Sequence, residues 1–138
     1  MSESFYESKV LTFKLGESEY AVDIETVDVI LGKYEIFKVP NSQNSLAGVI
    51  NVKGEIIPVV DVDRAINRDV QKSLPSSIII AKIGENKIGF LTGEVAEIME
   101  VHPFEFASMK TDGANYIKSV IIKGKRLISL LDLQHFTL

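Results

Sequence analysis

Apolar and polar residues alternate with a period of two along most of the chain. Leu11, Phe13 and Leu15 alternate with polar neighbours, and so do Tyr20, Val22 and Ile24, which is the pattern of half-buried strands. Gly16-Glu17-Ser18 between them supplies a turn, with glycine free to take a positive φ. Ile24, Val27 and Leu31 follow a helical spacing, which predicts one short helical turn there. Lys53-Gly54 and Lys123-Gly124 sit between apolar runs and predict tight hairpins. Pro58 falls inside an apparent strand, and its missing N–H predicts an edge position or a bulge. The polar stretches 67–77 and 102–115 read as connectors. Many short strands, glycine turns and almost no long helix predict a mainly β chain built of small barrels, with one or two short helical turns.

A repeat organises these elements. Residues 13–30 align without a gap on residues 81–98, placing Gly16 on Gly84, Glu17 on Glu85, Val27 on Val95 and Ile30 on Ile98. Residues 52–62 align on 122–133 with one residue inserted in the second copy, which pairs Gly54 with Gly124 and Asp61 with Asp132. Two matched blocks in the same order imply a duplication. The expected organisation is one domain over 8–138, with a first unit over about 10–66, a connector at 67–77 and a second unit over about 78–134. Each half is too small to bury much of a core alone, so the halves should share apolar surface.

Composition removes several classes of chemistry. There is no cysteine, hence no disulfide, thiolate site or cysteine nucleophile. The net charge is −4 with Lys and Arg dispersed, so no nucleic-acid partner is expected. No apolar run is long enough to span a bilayer, and the acidic opening Met1–Glu7 has no secretory h-region, so no membrane insertion is expected and the cytoplasm is the default compartment. No phosphate-binding glycine loop occurs, and His102 and His135 without a cysteine make a poor metal site. Asp61 and Asp63 would share a strand face and could serve acid–base work or hold a cation, but Asp132, the counterpart of Asp61, lacks the second acid. Helix capping is the favoured reading of these residues. No catalytic residue, metal or cofactor is expected.

What remains is surface chemistry of the binding kind, and here the residues resemble a known family. Leu11–Gly16, Tyr20–Ile24 and Ile36–Ser42 look like the opening of a CheW domain. Gly48-Val49-Ile50-Asn51-Val52-Lys53-Gly54 through Pro58 to Asp61-Val62 resembles the family pattern G-x-x-N-L-R-G-x-x-x-P-x-x-D-L, and Leu130-Leu131-Asp132-Leu133 resembles its closing motif. The resemblance spans Leu11 to about Phe136. It implies two intertwined five-stranded SH3-like β-barrels around a shared core. It also implies a non-catalytic adaptor, a monomer when free, that binds the regulatory domain of the histidine kinase CheA and the cytoplasmic tip of a chemoreceptor. The receptor-facing positions carry over onto Val27, Gly48, Val49, Lys53 and Ile98, with Val27, Val49 and Ile98 expected to line a groove between the barrels. The kinase-facing positions are expected on Ile36 and Val39 and on Lys87, Gly89 and Leu91.

The chain departs from the family pattern at three places. Lys53 stands for an arginine and cannot reproduce a bidentate contact. Val29 stands where an acid is usual, and Gly93 stands near the place of an aspartate. These changes bear on partner choice. The competing readings are a diverged adaptor of the same type serving a non-chemotactic signalling array, and a small β-barrel enzyme or ligand-binding domain with Asp61 and Asp63 as its polar centre.

Overall fold

The structure is a computed structural model and describes residues 8–40, 45–66, 74–108 and 116–136. Its strands are β1 (Ser8–Leu15), β2 (Ser18–Asp23), β3 (Val27–Leu31), β4 (Leu46–Val52), β5 (Glu55–Asp61), β6 (Ser77–Ile83), β7 (Asn86–Thr92), β8 (Val95–Val101), β9 (Phe106–Ala107), β10 (Ile117–Lys123) and β11 (Arg126–Leu131). One short helix, α1 (Val62–Ile66), follows β5, and 3-10 turns occupy Ile24–Thr26, Pro103–Glu105 and Leu133–Phe136. The helical spacing read across Ile24–Leu31 thus yields a single 3-10 turn. Val27–Leu31 continues as a strand, because β6 offers it a ladder from Ala81 to Ile78.

The chain is mainly β, as the sequence predicts, and its two sheets are intertwined, as the family resemblance implies. The first sheet has the order β8-β1-β2-β11-β10-β9 and the second β3-β6-β7-β5-β4. They hold six and five strands, and among the described residues neither ladder closes into a barrel. Each sheet draws strands from both halves of the sequence. The division at 67–77 therefore separates the two sequence halves and does not separate the two sheets. The exchange follows from a short connection. Only Ile24–Thr26 joins β2 to β3, and β3 pairs with β6 of the other half, while β8 returns to pair with β1.

The registers carry the internal symmetry. Leu11 opposite Ile98 has its counterpart in Ile79 opposite Ile30, and Phe13 opposite Val95 in Ala81 opposite Val27. Both ladders skip a residue at the same place, opposite the step before Phe13 and before Ala81. Gly16 and Gly84 hold equivalent turns, with φ of 64° and 63°. Gly54 and Gly124 do not. The turn after β4 has Lys53 and Gly54 at its centre, both at positive φ (52° and 90°), as a type I′ hairpin requires. The turn after β10 has Gly124 and Lys125 at its centre, with positive φ on Gly124 alone. Gly124 therefore matches Lys53, and the inserted residue inferred from the sequence comes from aligning the wrong turn position.

Pro58 is not at an edge, since β5 lies inside its sheet between β7 and β4, but the β4–β5 register does shift beside it, between Leu46 and Gly48. Pro58 is opposite Val49, whose N–H and C=O both bond Phe37 on the far side at 2.8 Å. The Val49–Pro58 pair exchanges no hydrogen bond, and β5 meets β7 only from Val59 onward, so the missing N–H costs the ladder nothing.

Three apolar clusters explain the double-sided strands. Leu11, Phe13, Leu15 and Val22 meet Ile79, Ala81, Ile88 and Phe90 in a core shared between the sheets. Val10, Ala21, Ile121 and Ile128 fill the inside of the first sheet, and Ile50, Ile57, Val59, Ile78 and Ile80 fill the second. The unbroken run Ile78-Ile79-Ile80-Ala81 is apolar because alternate residues enter different clusters.

Candidate protein-docking site

The segment after β3 forms a strap laid against β4. Phe37 donates to the Val49 carbonyl and accepts from the Val49 N–H, both at 2.8 Å. Gly48 permits this approach. It has φ of +148°, and a Cβ there would lie 2.3 Å from the Phe37 carbonyl oxygen. The strap turns Ile36 inward onto the second-sheet cluster, where Leu91 also packs, and presents Tyr34, Phe37 and Val39 to solvent. Ile36, Tyr34, Pro75 and Leu91 line a shallow groove of about 390 Å³.

The strap leaves from the end of β3, which among the described residues pairs with β6 alone and lies at the other end of the sheet from β4. It carries Val29 and Ile30 at 41% and 42% exposure. An unpaired strand edge with exposed aliphatic and aromatic side chains offers both main-chain hydrogen bonds and apolar area to another protein. The expected site residues do not include Ile30 and Tyr34, whereas Phe37 lies within the Ile36–Val39 stretch expected to face the kinase. For Ile30 the one signal is that the apolar residues of Val27–Leu31 exceed what a single buried face consumes.

The expected receptor-facing residues are spread over the fold. Val27 is half-buried on β3 and packs on the shared core. Val49 and Gly48 lie on β4 at the opposite end of the same sheet, and Lys53 is exposed in the turn that follows. Ile98 sits on β8 in the other sheet, 60% exposed. Strand pairing does not unite Val27, Val49 and Ile98. Among the expected kinase-facing residues, Ile36 and Leu91 share the groove and Val39 is exposed. Lys87 is held by Glu55 at 3.3 Å and Asp28 at 3.5 Å. Gly89 is buried, a Cβ there lying 3.1 Å from both Ile78 and Val59, so it shapes the interior of the sheet and presents nothing to a partner.

The acidic pair is structural. Asp61 and Asp63 are 5% and 3% exposed at the start of α1. The Asp61 carboxylate accepts from the Arg64 backbone N–H at 3.2 Å, with the Arg64 guanidinium at 3.7 Å. Asp132 does the same for the last 3-10 turn, accepting from the Gln134 N–H at 3.1 Å. Burial raises the Asp61 pKa above the usual carboxylate range, against the lowering effect of the Arg64 contacts. A carboxylate pair closed to solvent does not present itself to a substrate or cation. Elsewhere, hydrogen bonding from Arg126 lowers Glu19, and the His102 backbone N–H, followed by Lys123, lowers Glu105.

The fold and this surface can be set beside known proteins. The CheW-like domain family matches residues 9–137. The chain belongs to that family. It is 27% identical over 135 residues to chemotaxis protein CheW of Thermotoga maritima, covering 96% of this chain and 89% of the relative. It is 26% identical over 131 residues to chemotaxis protein CheW of Klebsiella aerogenes, covering 90% of this chain and 78% of the relative. The crystal structure of scaffolding protein TtCheW from Thermoanaerobacter tengcongensis superposes with a TM-score of 0.83 at 24% identity, covering 91% of this chain and 88% of that one. That likeness establishes the CheW-like fold. The CheW-named relatives, together with the family match, support a chemotaxis coupling adaptor. Within the CheW-like fold, the β3 edge and the strap on β4 carry the exposed apolar side chains Val29, Ile30, Tyr34, Phe37 and Val39.

Proposed function

We propose that this chain is a non-catalytic cytoplasmic adaptor that couples the cytoplasmic tip of a chemoreceptor to the regulatory domain of the histidine kinase CheA. The family match over residues 9–137 carries the reading. The exposed apolar edge supports a role in protein docking, and the enclosure of Asp61 and Asp63 removes the motive for a ligand-binding barrel. The receptor side is assigned to Val27, Gly48, Val49, Lys53 and Ile98, and the kinase side to the strap around Ile36 and Val39 with Lys87 and Leu91 behind it. Gly89 supports that side from the interior. No helix among the described residues is long and apolar enough to cross a membrane.

Val29 favours a variant of this reading. An apolar side chain on an open edge, where the family usually has an acid, selects a partner with a matching apolar patch. The chain would then serve a diverged array. The test is calorimetric titration of the full chain against CheA, CheA lacking its regulatory domain, and a receptor-tip helical bundle. Binding to intact CheA and to the bundle, lost with the regulatory domain, is the expected result. Saturable binding to neither partner overturns the proposal.

A further inference from the structure

Ion pairs of opposite polarity occupy equivalent places in the two sheets. In the first sheet β11 runs parallel to β2, with Leu130 opposite Ala21. In the second β5 runs parallel to β7, with Val59 opposite Gly89. Glu19 and Lys87 each precede the paired residue by two positions, and Arg126 and Glu55 each precede theirs by four. The four residues are therefore counterparts. Arg126 grips Glu19 through two nitrogens, at 2.6 Å and 3.3 Å, and also reaches Glu97 on β8 at 3.1 Å. Lys87 reaches Glu55 at 3.3 Å and Asp28 on β3 at 3.5 Å. The cation stands on the closing strand in one sheet and on the hairpin strand in the other.

That inversion distinguishes the native closure from its nearest competitor. A duplicated chain has two ways to seat its closing strands. The native one crosses the halves, β11 on β2 and β5 on β7. The alternative closes each half on itself, β5 on β2 and β11 on β7, with the same backbone pattern and closely similar apolar faces. There Glu19 would meet Glu55 and Lys87 would meet Arg126. We propose that the opposed polarity of the Glu19–Arg126 and Lys87–Glu55 pairs is a charge code that directs the two closing strands to the opposite half during folding. The short Ile24–Thr26 connection already commits β3 to the far sheet, and the charge code acts on β5 and β11, which long loops leave free to choose. Like charges on neighbouring strands, set diagonally within side-chain reach as these are, disfavour pairing.

The chain contains no cysteine, so an introduced pair reports a single disulfide. Self-closure of the first half would bring position 18 beside position 56, which the native fold keeps in different sheets. Full-length protein carrying Ser18→Cys and Ile56→Cys is refolded from urea under oxidant, and the cross-linked fraction is measured by mass spectrometry. Reversing the first network (Glu19→Lys, Glu97→Lys, Arg126→Glu) keeps its internal attraction but gives both sheets one polarity. Two repulsive contacts in the wrong closure become attractive, each worth a factor of a few at half-exposed positions, so the cross-link should rise roughly tenfold. Reversing the second network as well (Asp28→Lys, Glu55→Lys, Lys87→Glu) should return it to the parent level. In the parent, about 1 M salt should raise it by screening. Equal cross-linking in all three chains overturns the proposal. Because trapping acts during refolding, a reversed chain that fails to reach the native state is still informative. In that event an unchanged cross-link in the parent at high salt overturns it.

Discussion

Replacing Gly48 by alanine tests the strap directly. The new Cβ would lie 2.3 Å from the Phe37 carbonyl oxygen and 2.8 Å from the Ile36 side chain. An ordinary C···O approach needs about 3.3 Å, so the strap must retreat by roughly 1 Å. Both Phe37–Val49 hydrogen bonds, 2.8 Å long, then stretch to about 3.8 Å, beyond useful range. Losing two net hydrogen bonds costs about 2 kcal/mol. Holding alanine at φ of +148° adds about 1–3 kcal/mol. The sum, about 3–5 kcal/mol, is a large part of a small domain's stability. Urea unfolding followed by circular dichroism should show the midpoint falling by about 2 M, for a slope near 2 kcal/mol/M. Gly32→Ala is the control. A Cβ there meets nothing within 4 Å, so its unfolding free energy should stay within about 0.5 kcal/mol of the parent. A Gly48→Ala chain that unfolds within about 1 kcal/mol of the parent would refute the reasoning, since the strap would not be seated as described. The same variant guards the binding assay, because lost partner binding in Gly48→Ala reports a displaced strap.

Three further outcomes are expected. Ile98→Asp, on an exposed position, should fold normally and weaken receptor-tip binding more than about tenfold, whereas Lys53→Ala should cost less than about tenfold; equal, small effects in a titration would move the receptor surface elsewhere. Lys53→Asn should raise stability by about 0.5–1 kcal/mol, because Asn-Gly suits a type I′ turn better than a lysine at φ of 52°, and a lower melting temperature would contradict that turn assignment. The folded pKa of Asp61 is raised, so the protonated form is favoured in the fold; its stabilising effect is present below the unfolded pKa and lost as pH rises through the folded one. Asp61→Asn keeps the cap, so it should match or exceed the parent at pH 7 and lose that advantage near pH 4, checked by urea unfolding at both values.

Much of the fold was legible in local patterns. The β1–β2 and β6–β7 hairpins, with their glycines at φ near 64°, follow from alternation and a Gly-Glu turn. The capping role of Asp61 and Asp132 follows from their place at the end of an apolar strand. The surface was less legible. Val27 and Ile98 are both β-branched apolar residues expected to line one groove, yet one packs on the shared core and the other stands in solvent. Alternation says that a residue has a face. Which face is covered depends on the partner strand, and that strand comes from the other half of the chain.

The same limit bears on how the halves exchange strands. Sequence order groups β1 to β5 together and β6 to β11 together, and a repeat reinforces that grouping. The connection after β2 is too short to carry β3 back across its own hairpin, so β3 must find its ladder on β6 and the halves interleave. Once they interleave, each hairpin strand meets a closing strand from a different copy, and equivalent positions are free to diverge in charge. Glu19 and Lys87 carry opposite charges at equivalent positions, and so do Arg126 and Glu55. Aligned residue by residue, the two halves look poorly matched at these positions. Aligned by their strand partners, they show the complementarity that a crossed closure demands and a self-contained half would forbid.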